Sequence, residues 1–130
     1  MRQQHKLEFR VLAGAYVVVR LAPDAVVPAW ATSGEVTSIT RTADELSIVC
    51  RAENVPSEIE CRARWSCLKL AGPFPFSLTG VLLSFIEPLS SNGIPIFAIS
   101  TYDTDYVLIK EEFVAQALAL LRQAGHELIG

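Results

Sequence analysis

Between residues 99 and 110 the sequence reads ISTYDTDYVLIK, two apolar runs interrupted by Asp103, Thr104 and Asp105. Three chemistries suit that interruption. A DxD pair can ligate a hard cation, but such ions need several converging oxygens and a hairpin supplies few of them. Glu111 and Glu112 follow closely, yet they open a helical segment whose dipole accounts for them, so no metal site is expected. Aspartate and threonine are also ordinary turn residues between two strands. The third chemistry is a ligand pocket, in which Asp103 or Asp105 balances an ammonium group while the free amides of a helix N-terminus receive a carboxylate. The stretch 77-SLTG-80 could supply that N-terminus, with Ser77 or Thr79 as its cap and Gly80 letting a ligand approach the backbone. On residue types alone, turn and pocket both remain open.

The other reactive side chains point away from catalysis. His5 and His126 stand at opposite ends of the chain, where a lone histidine reads as a surface or capping residue. Cys50, Cys61 and Cys67 have neither CxxC nor zinc-ligand spacing and are expected as buried or half-buried free thiols. There is no nucleophile elbow, Walker loop or GxGxxG, and the loop 72-GPFPFSLTG-80 carries no arginine to hold a phosphate. No enzyme and no cofactor are expected.

Composition narrows the partners. With 51% hydrophobic and 19% charged residues the 130-residue chain can bury its own core, and a net charge of −3 gives no attraction to nucleic acid or an anionic membrane. No apolar run reaches the length of a membrane span, and residues 1–6 lead into a strand pattern without a signal-type apolar region. A cytoplasmic location is the expectation.

The elements that would position these residues are read from periodicity. Residues 6–12 and 16–21 are strand-like and expected to pair as a hairpin across Ala13-Gly14-Ala15; a short helix follows from Asp24 to Trp30. A second hairpin joins 36–40 to 45–50, and residues 63–70 form the next strand. In 77–93, Leu82, Phe85, Ile86 and Leu89 share one helical face, with Pro88 expected to distort or shorten the last turn. Strands at 94–100 and 106–110 precede a helix from Glu111 to Gln123 that buries Val114, Ala117, Leu118 and Leu121, then a strand at 126–129. From residue 63 the order is βαββαβ, the ferredoxin-like arrangement. The halves echo each other, with 12-LAG-14 resembling 70-LAG-72. Tyr16, Pro28 and Ile39 lie sixty residues before Phe76, Pro88 and Ile99, and Glu45 falls under Asp105.

The run 78-LTGVLLSFIEPLSSNGIPIFAISTYDTDYVLIKEE-112 resembles an ACT domain of the kind found in aspartokinase regulatory regions and in cytosolic arginine sensors. Gly80, Pro88-Leu89, Gly93 and the Ile99–Asp105 motif carry the likeness. Residues 19–30 and 38–50 are similar to the degenerate first unit of small bacterial proteins with tandem ACT units. The resemblance implies an α+β protein of two ferredoxin-like units, 1–62 degenerate and 63–130 competent, with antiparallel sheets and helices on one face. It implies a non-catalytic regulatory module that binds a small amino acid, homodimerises and passes its state to an enzyme. Carried over by position, the ligand contacts are Gly80, Val81, Thr101, Tyr102 and Asp105; the first unit has Arg20 and Glu45 in place of Gly80 and Asp105. The alternative is an ACT scaffold without a ligand, serving only dimerisation or protein interaction.

Overall fold

A computed structural model of the chain describes residues 5–61 and 63–130. In order these form β1 (Glu8–Val11), β2 (Tyr16–Leu21), β3 (Ser38–Arg41), β4 (Leu46–Arg51), β5 (Trp65–Leu70), α1 (Val81–Ser90), β6 (Phe97–Ser100), β7 (Asp105–Lys110), α2 (Val114–Gln123) and β8 (Glu127–Leu128). They fall into two compact units: the chain up to Leu12 together with Ser66–Gly130, and Ala13–Trp65. β1 therefore precedes the smaller unit in sequence but belongs to the larger one, with residues 66–130.

In the larger unit β6 pairs with β7, β7 with β5, β5 with β1, and β1 with β8. The sheet is not purely antiparallel. β1 runs antiparallel to β5 but parallel to β8, with the Glu127 and Ile129 amides donating to Leu7 and Phe9 carbonyls at 2.8 Å. Both edges of β1 are thus occupied, while β2 pairs with β4, so the hairpin expected between the first two strands does not form. Alternation along the strands puts Phe9, Leu68, Leu70, Val107 and Ile109 on one face, where they pack with Val81, Phe85 and Leu89 of α1 and Ala117 and Leu121 of α2. Both helices cover that single face. Burying each large side chain of this set contributes roughly 1.5–3 kcal/mol.

Helix α1 is shorter at its start than the apolar pattern suggests, and its buried stripe is Val81, Phe85 and Leu89, with Leu82 and Ile86 half-buried beside it. Pro88 lies inside the helix without ending it. A proline cannot donate to the carbonyl four residues back, which orphans Ser84 O. His126 Nε2 donates to that oxygen at 2.9 Å, and His126 Nδ1 accepts the Leu7 amide at 3.1 Å. The histidine expected as a surface or capping residue is 4% exposed, and by bonding Ser84 O and the Leu7 amide it joins α1 to the segment before β1. Two carbonyl-and-amide partners fix it as the neutral Nε2–H tautomer. Burial holds its pKa below the ordinary histidine value; the Lys6 charge adds to this and the Ser84 carbonyl opposes it.

In the smaller unit β2, β4 and β3 form an antiparallel sheet with β4 central. Val17, Val19, Leu46, Ile48 and Cys50 point to one face and pack with Ala31, Trp30, Val55 and Ile59. The helix expected from Asp24 to Trp30 is replaced by a 3-10 turn over Ala29–Thr32. Pro28 is the cause: it disfavours helical backbone at Val27, so helical geometry starts only beyond it. Cys50 and Cys67 are buried and Cys61 half-buried, all as free thiols; burial pushes the Cys50 thiol up, and the nearby Cys61 adds to it.

Candidate functional site

The two hairpins, β3–β4 and β6–β7, are built on one plan. Ser38 pairs with Val49 and Arg41 with Leu46; Phe97 pairs with Leu108 and Ser100 with Asp105. Each turn is closed by a threonine. The Thr42 amide donates to Glu45 O at 2.9 Å, as the Thr101 amide does to Thr104 O at 2.8 Å. The same threonine hydroxyls accept the amides of Glu45 and Thr104 at 3.2 and 3.3 Å. Pairing and turn therefore match at a separation of 59 residues, not sixty. Leu46, not Glu45, stands where Asp105 stands, and Glu45 matches Thr104. The 12-LAG-14 echo also dissolves, because β2, like β5, is the strand paired to the second strand of its hairpin.

The turn at 101–104 is tied to the loop after β5. Thr104, 6% exposed, donates from its hydroxyl to Leu70 O at 2.9 Å, and the Phe74 amide donates to Asp103 O at 2.8 Å. Gly72 passes so close that a Cβ there would meet Asp103 O at 2.9 Å and Thr104 Cβ at 3.0 Å. The loop then reaches Gly80, which occupies the N-cap of α1 with φ 79° and makes no side-chain cap bond. Neither Ser77 nor Thr79 caps the helix. Instead, His5 Nε2 donates to Thr79 O at 2.9 Å and Ser84 Oγ to Gly80 O at 2.7 Å. Ser84 supplies the first amide to reach an intrahelical acceptor, so the amides of Val81, Leu82 and Leu83 carry the positive end of the helix dipole.

Between this loop, the helix start and the hairpin lies a cavity of about 200 Å³. It brings together Val81, Thr101, Tyr102 and Asp105, four of the five residues singled out in the sequence; Gly80 adjoins Val81 without lining it. Asp105 opens β7 and accepts the Ser100 hydroxyl. Thr101 is committed to its own turn, through both the Thr104 amide and the Thr104 carbonyl. Asp103 is exposed, and its contribution is the carbonyl that holds Phe74. Sequence reading missed Phe74, Phe76 and Ser100, which also line the cavity. Phe76 and Tyr102 are 75% and 79% exposed and meet edge to face, centroids 4.8 Å apart. The signal was present in 72-GPFPF-76, an aromatic-rich loop feeding a helix. Two roomier cavities, of about 290 and 370 Å³, flank His126, whose ring nitrogens are both committed.

Among its described residues the smaller unit holds no copy of this arrangement. Arg41, at the position of Ser100, sends its guanidinium to Pro23 O and to Ala25 O, the latter at 2.7 Å, and Leu46 replaces Asp105 in the apolar core. Glu45 faces Arg20 at 4.0 Å among exposed groups. Among the described residues no three His, Cys, Asp or Glu side chains are grouped to hold a metal ion, and no helix is long and apolar enough to cross a membrane.

Comparison with known proteins agrees with this architecture. An ACT domain model matches residues 60–123, and a model described as an N-terminal domain matches residues 14–58. No protein with a curated description matches the chain. Among solved structures, protein Atu0741 from Agrobacterium tumefaciens is 44% identical over 96% of this chain and 93% of its own, with a TM-score of 0.90. A Vibrio cholerae protein of unknown function, VC0802, described as a possible transport protein, is 24% identical over 87% and 85%, with a TM-score of 0.71. Aspartate kinase from Clostridium acetobutylicum, described as an allosteric enzyme, shares the fold at 12% identity and a TM-score of 0.63; the match covers 95% of this chain but 36% of the kinase. ACT domains are regulatory and non-catalytic, and as a class they bind amino acids and dimerise. The chain belongs to the family of the Agrobacterium tumefaciens protein Atu0741, and its own residues 60–123 match the ACT domain model in an α+β, ACT-like fold.

Proposed function

We propose that the protein is a regulatory module that binds a small amino acid in the cavity between the 101–104 turn and the start of α1. The carrying observation is the convergence, in about 200 Å³, of Asp105, Tyr102 and the N-terminal turn of a ten-residue helix. Asp105 would hold the ligand's ammonium, the amides from Gly80 and Val81 onward its carboxylate, and Tyr102 its apolar part; Thr101 would shape the turn and contact the ligand from the side. The volume lies below the roughly 300–1,000 Å³ of drug-sized pockets and suits a compact ligand. The two segments, 1–62 and 63–130, would then be tandem ACT-like units, the first degenerate, acting in a cytoplasmic homodimer that reports ligand to a regulated enzyme.

Titration calorimetry of the full chain against the twenty amino acids tests this reading. At least one is expected to bind and to raise the melting temperature, and Asp105→Ala is expected to remove that stabilisation. A folded protein that binds none at millimolar concentration would overturn it.

A further inference from the structure

The segment before β1 is fastened to α1 by bonds that meet at Ser84. The His5 amide donates to Ser84 Oγ at 3.0 Å, that hydroxyl donates on to Gly80 O at 2.7 Å, and His5 Nε2 donates to Thr79 O at 2.9 Å. His126 completes the fastening, receiving the Leu7 amide on Nδ1 and donating from Nε2 to Ser84 O. Gly80 makes no side-chain cap bond, so the start of α1 is held from outside the helix. Val81, on that same turn, lines the cavity beside residues 101–104.

The two histidines respond differently to a proton. His5 acts as a donor, through Nε2 and through its backbone amide, and both bonds survive protonation of its ring. His126 needs a bare Nδ1 to receive the Leu7 amide. A proton there sets two donors face to face at 3.1 Å while the Nε2–H bond to Ser84 O persists, so the ring stays on α1 and Leu7 is pushed off. Charged groups line the cavities on both sides of the ring: His5 and Lys6 before β1, Glu87 on α1, Arg122 on α2 and Glu127 on β8. Lys6 and Arg122 oppose a charged ring, and the two carboxylates favour one. Burial is the largest influence and keeps the ring neutral to a lower pH than an ordinary histidine.

We propose that His126 is a proton-operated latch: neutral, it holds residues 5–7 against the first turn of α1, and protonated, it releases them while the sheet stays folded. The released segment takes with it the His5 bonds to Thr79 and Ser84, and so slackens the helix start that walls the cavity. The latch works in the ligand-free chain and stands whether or not an amino acid binds. Because the folded pKa is the lower one, it is closed above the unfolded value of about 6.5 and opens as pH falls through the folded value. The test is amide exchange by NMR on the full chain at pH 7.5 and pH 5, each rate divided by the intrinsic rate at that pH. Protection is expected to fall fivefold or more at Leu7 and Ser84 and less than twofold at Val19 and Ile48, paired between β2 and β4 in the smaller unit. Glutamine offers one donor and one acceptor without titrating, so in His126→Gln the fall at Leu7 is expected to shrink below twofold. Should that variant not fold, the Leu7 amide shift of the parent chain is followed against pH and is expected to share the midpoint of the His126 ring. Unchanged protection at Leu7 overturns the proposal, as does an equal fall in folded His126→Gln or a Leu7 midpoint apart from that of His126. So does a matching loss at Val19 and Ile48, which is acid unfolding of the whole chain.

Discussion

Replacing His126 by leucine removes a side chain of similar bulk and leaves two buried backbone groups, Leu7 N–H and Ser84 O, without their partner. An unmade buried hydrogen bond costs about 1–3 kcal/mol, so the two together should cost about 2–6 kcal/mol, to which the lost ring contact with Phe85 adds a little. The Ser84 half of that cost exists because Pro88 has no amide to donate to it. Pro88→Ala supplies one. In the Pro88→Ala background, then, His126→Leu should cost about 1–2 kcal/mol less than in the parent chain, a coupling well beyond the ~0.3–0.5 kcal/mol scatter of independent sites. Urea denaturation of the four proteins, followed by circular dichroism, measures the cycle. If the two substitutions add within that scatter, Ser84 O is not what ties His126 to the helix, and the reasoning fails.

Two further outcomes follow from the same framework. Because His126 has a lowered pKa when folded, the unfolded chain binds its proton more readily; this contribution to stability is fully present above the unfolded value of about 6.5 and is lost as pH falls below it towards the folded value. Denaturation midpoints compared between pH 7.5 and 5 should fall more for the parent chain than for His126→Gln, and an equal fall would refute the assignment. Gly72→Ala should destabilise the larger unit by about 1–3 kcal/mol, since its Cβ meets Asp103 O at 2.9 Å and either the loop or the turn must give way. Amide exchange should show the loosening first at Phe74 and Thr104, and unchanged exchange there would count against the loop–turn clamp.

The sequence discloses its strands and helices wherever the local period is strong. The apolar alternation of β2 and β7 and the face of α2 are legible, and so is the hairpin motif that places Thr101, Tyr102 and Asp105 together. What it hides is set by distant partners. The 16–21 strand could pair with either neighbour on pattern alone, and nothing local says that β1 will be held between β5 and β8. His126 looks like an exposed terminal residue until a proline 38 positions earlier leaves a carbonyl for it to bind. Phe76 is similar: its ring acquires a role only through Tyr102, which folding brings to 4.8 Å.

The internal repeat shows how sharply a register decides chemistry. Side chains alternate faces along a strand, so a slip of one residue exchanges every inward position for an outward one. Aligned at sixty, Glu45 falls under Asp105, and the first unit looks like a weakened copy that keeps its carboxylate. Aligned at 59, as the pairing requires, the inward residue is Leu46 at the heart of an apolar core, and Glu45 lies out beside Arg20. The connection from β2 to β3 is also ten residues shorter than that from β5 to β6, the length of α1. Among its described residues the smaller unit thus has neither the carboxylate nor the helix N-terminus, and Arg41 reaches the Pro23 and Ala25 carbonyls instead. A site that needs an anionic side chain and a row of free amides at opposite ends of one ligand cannot survive the loss of both.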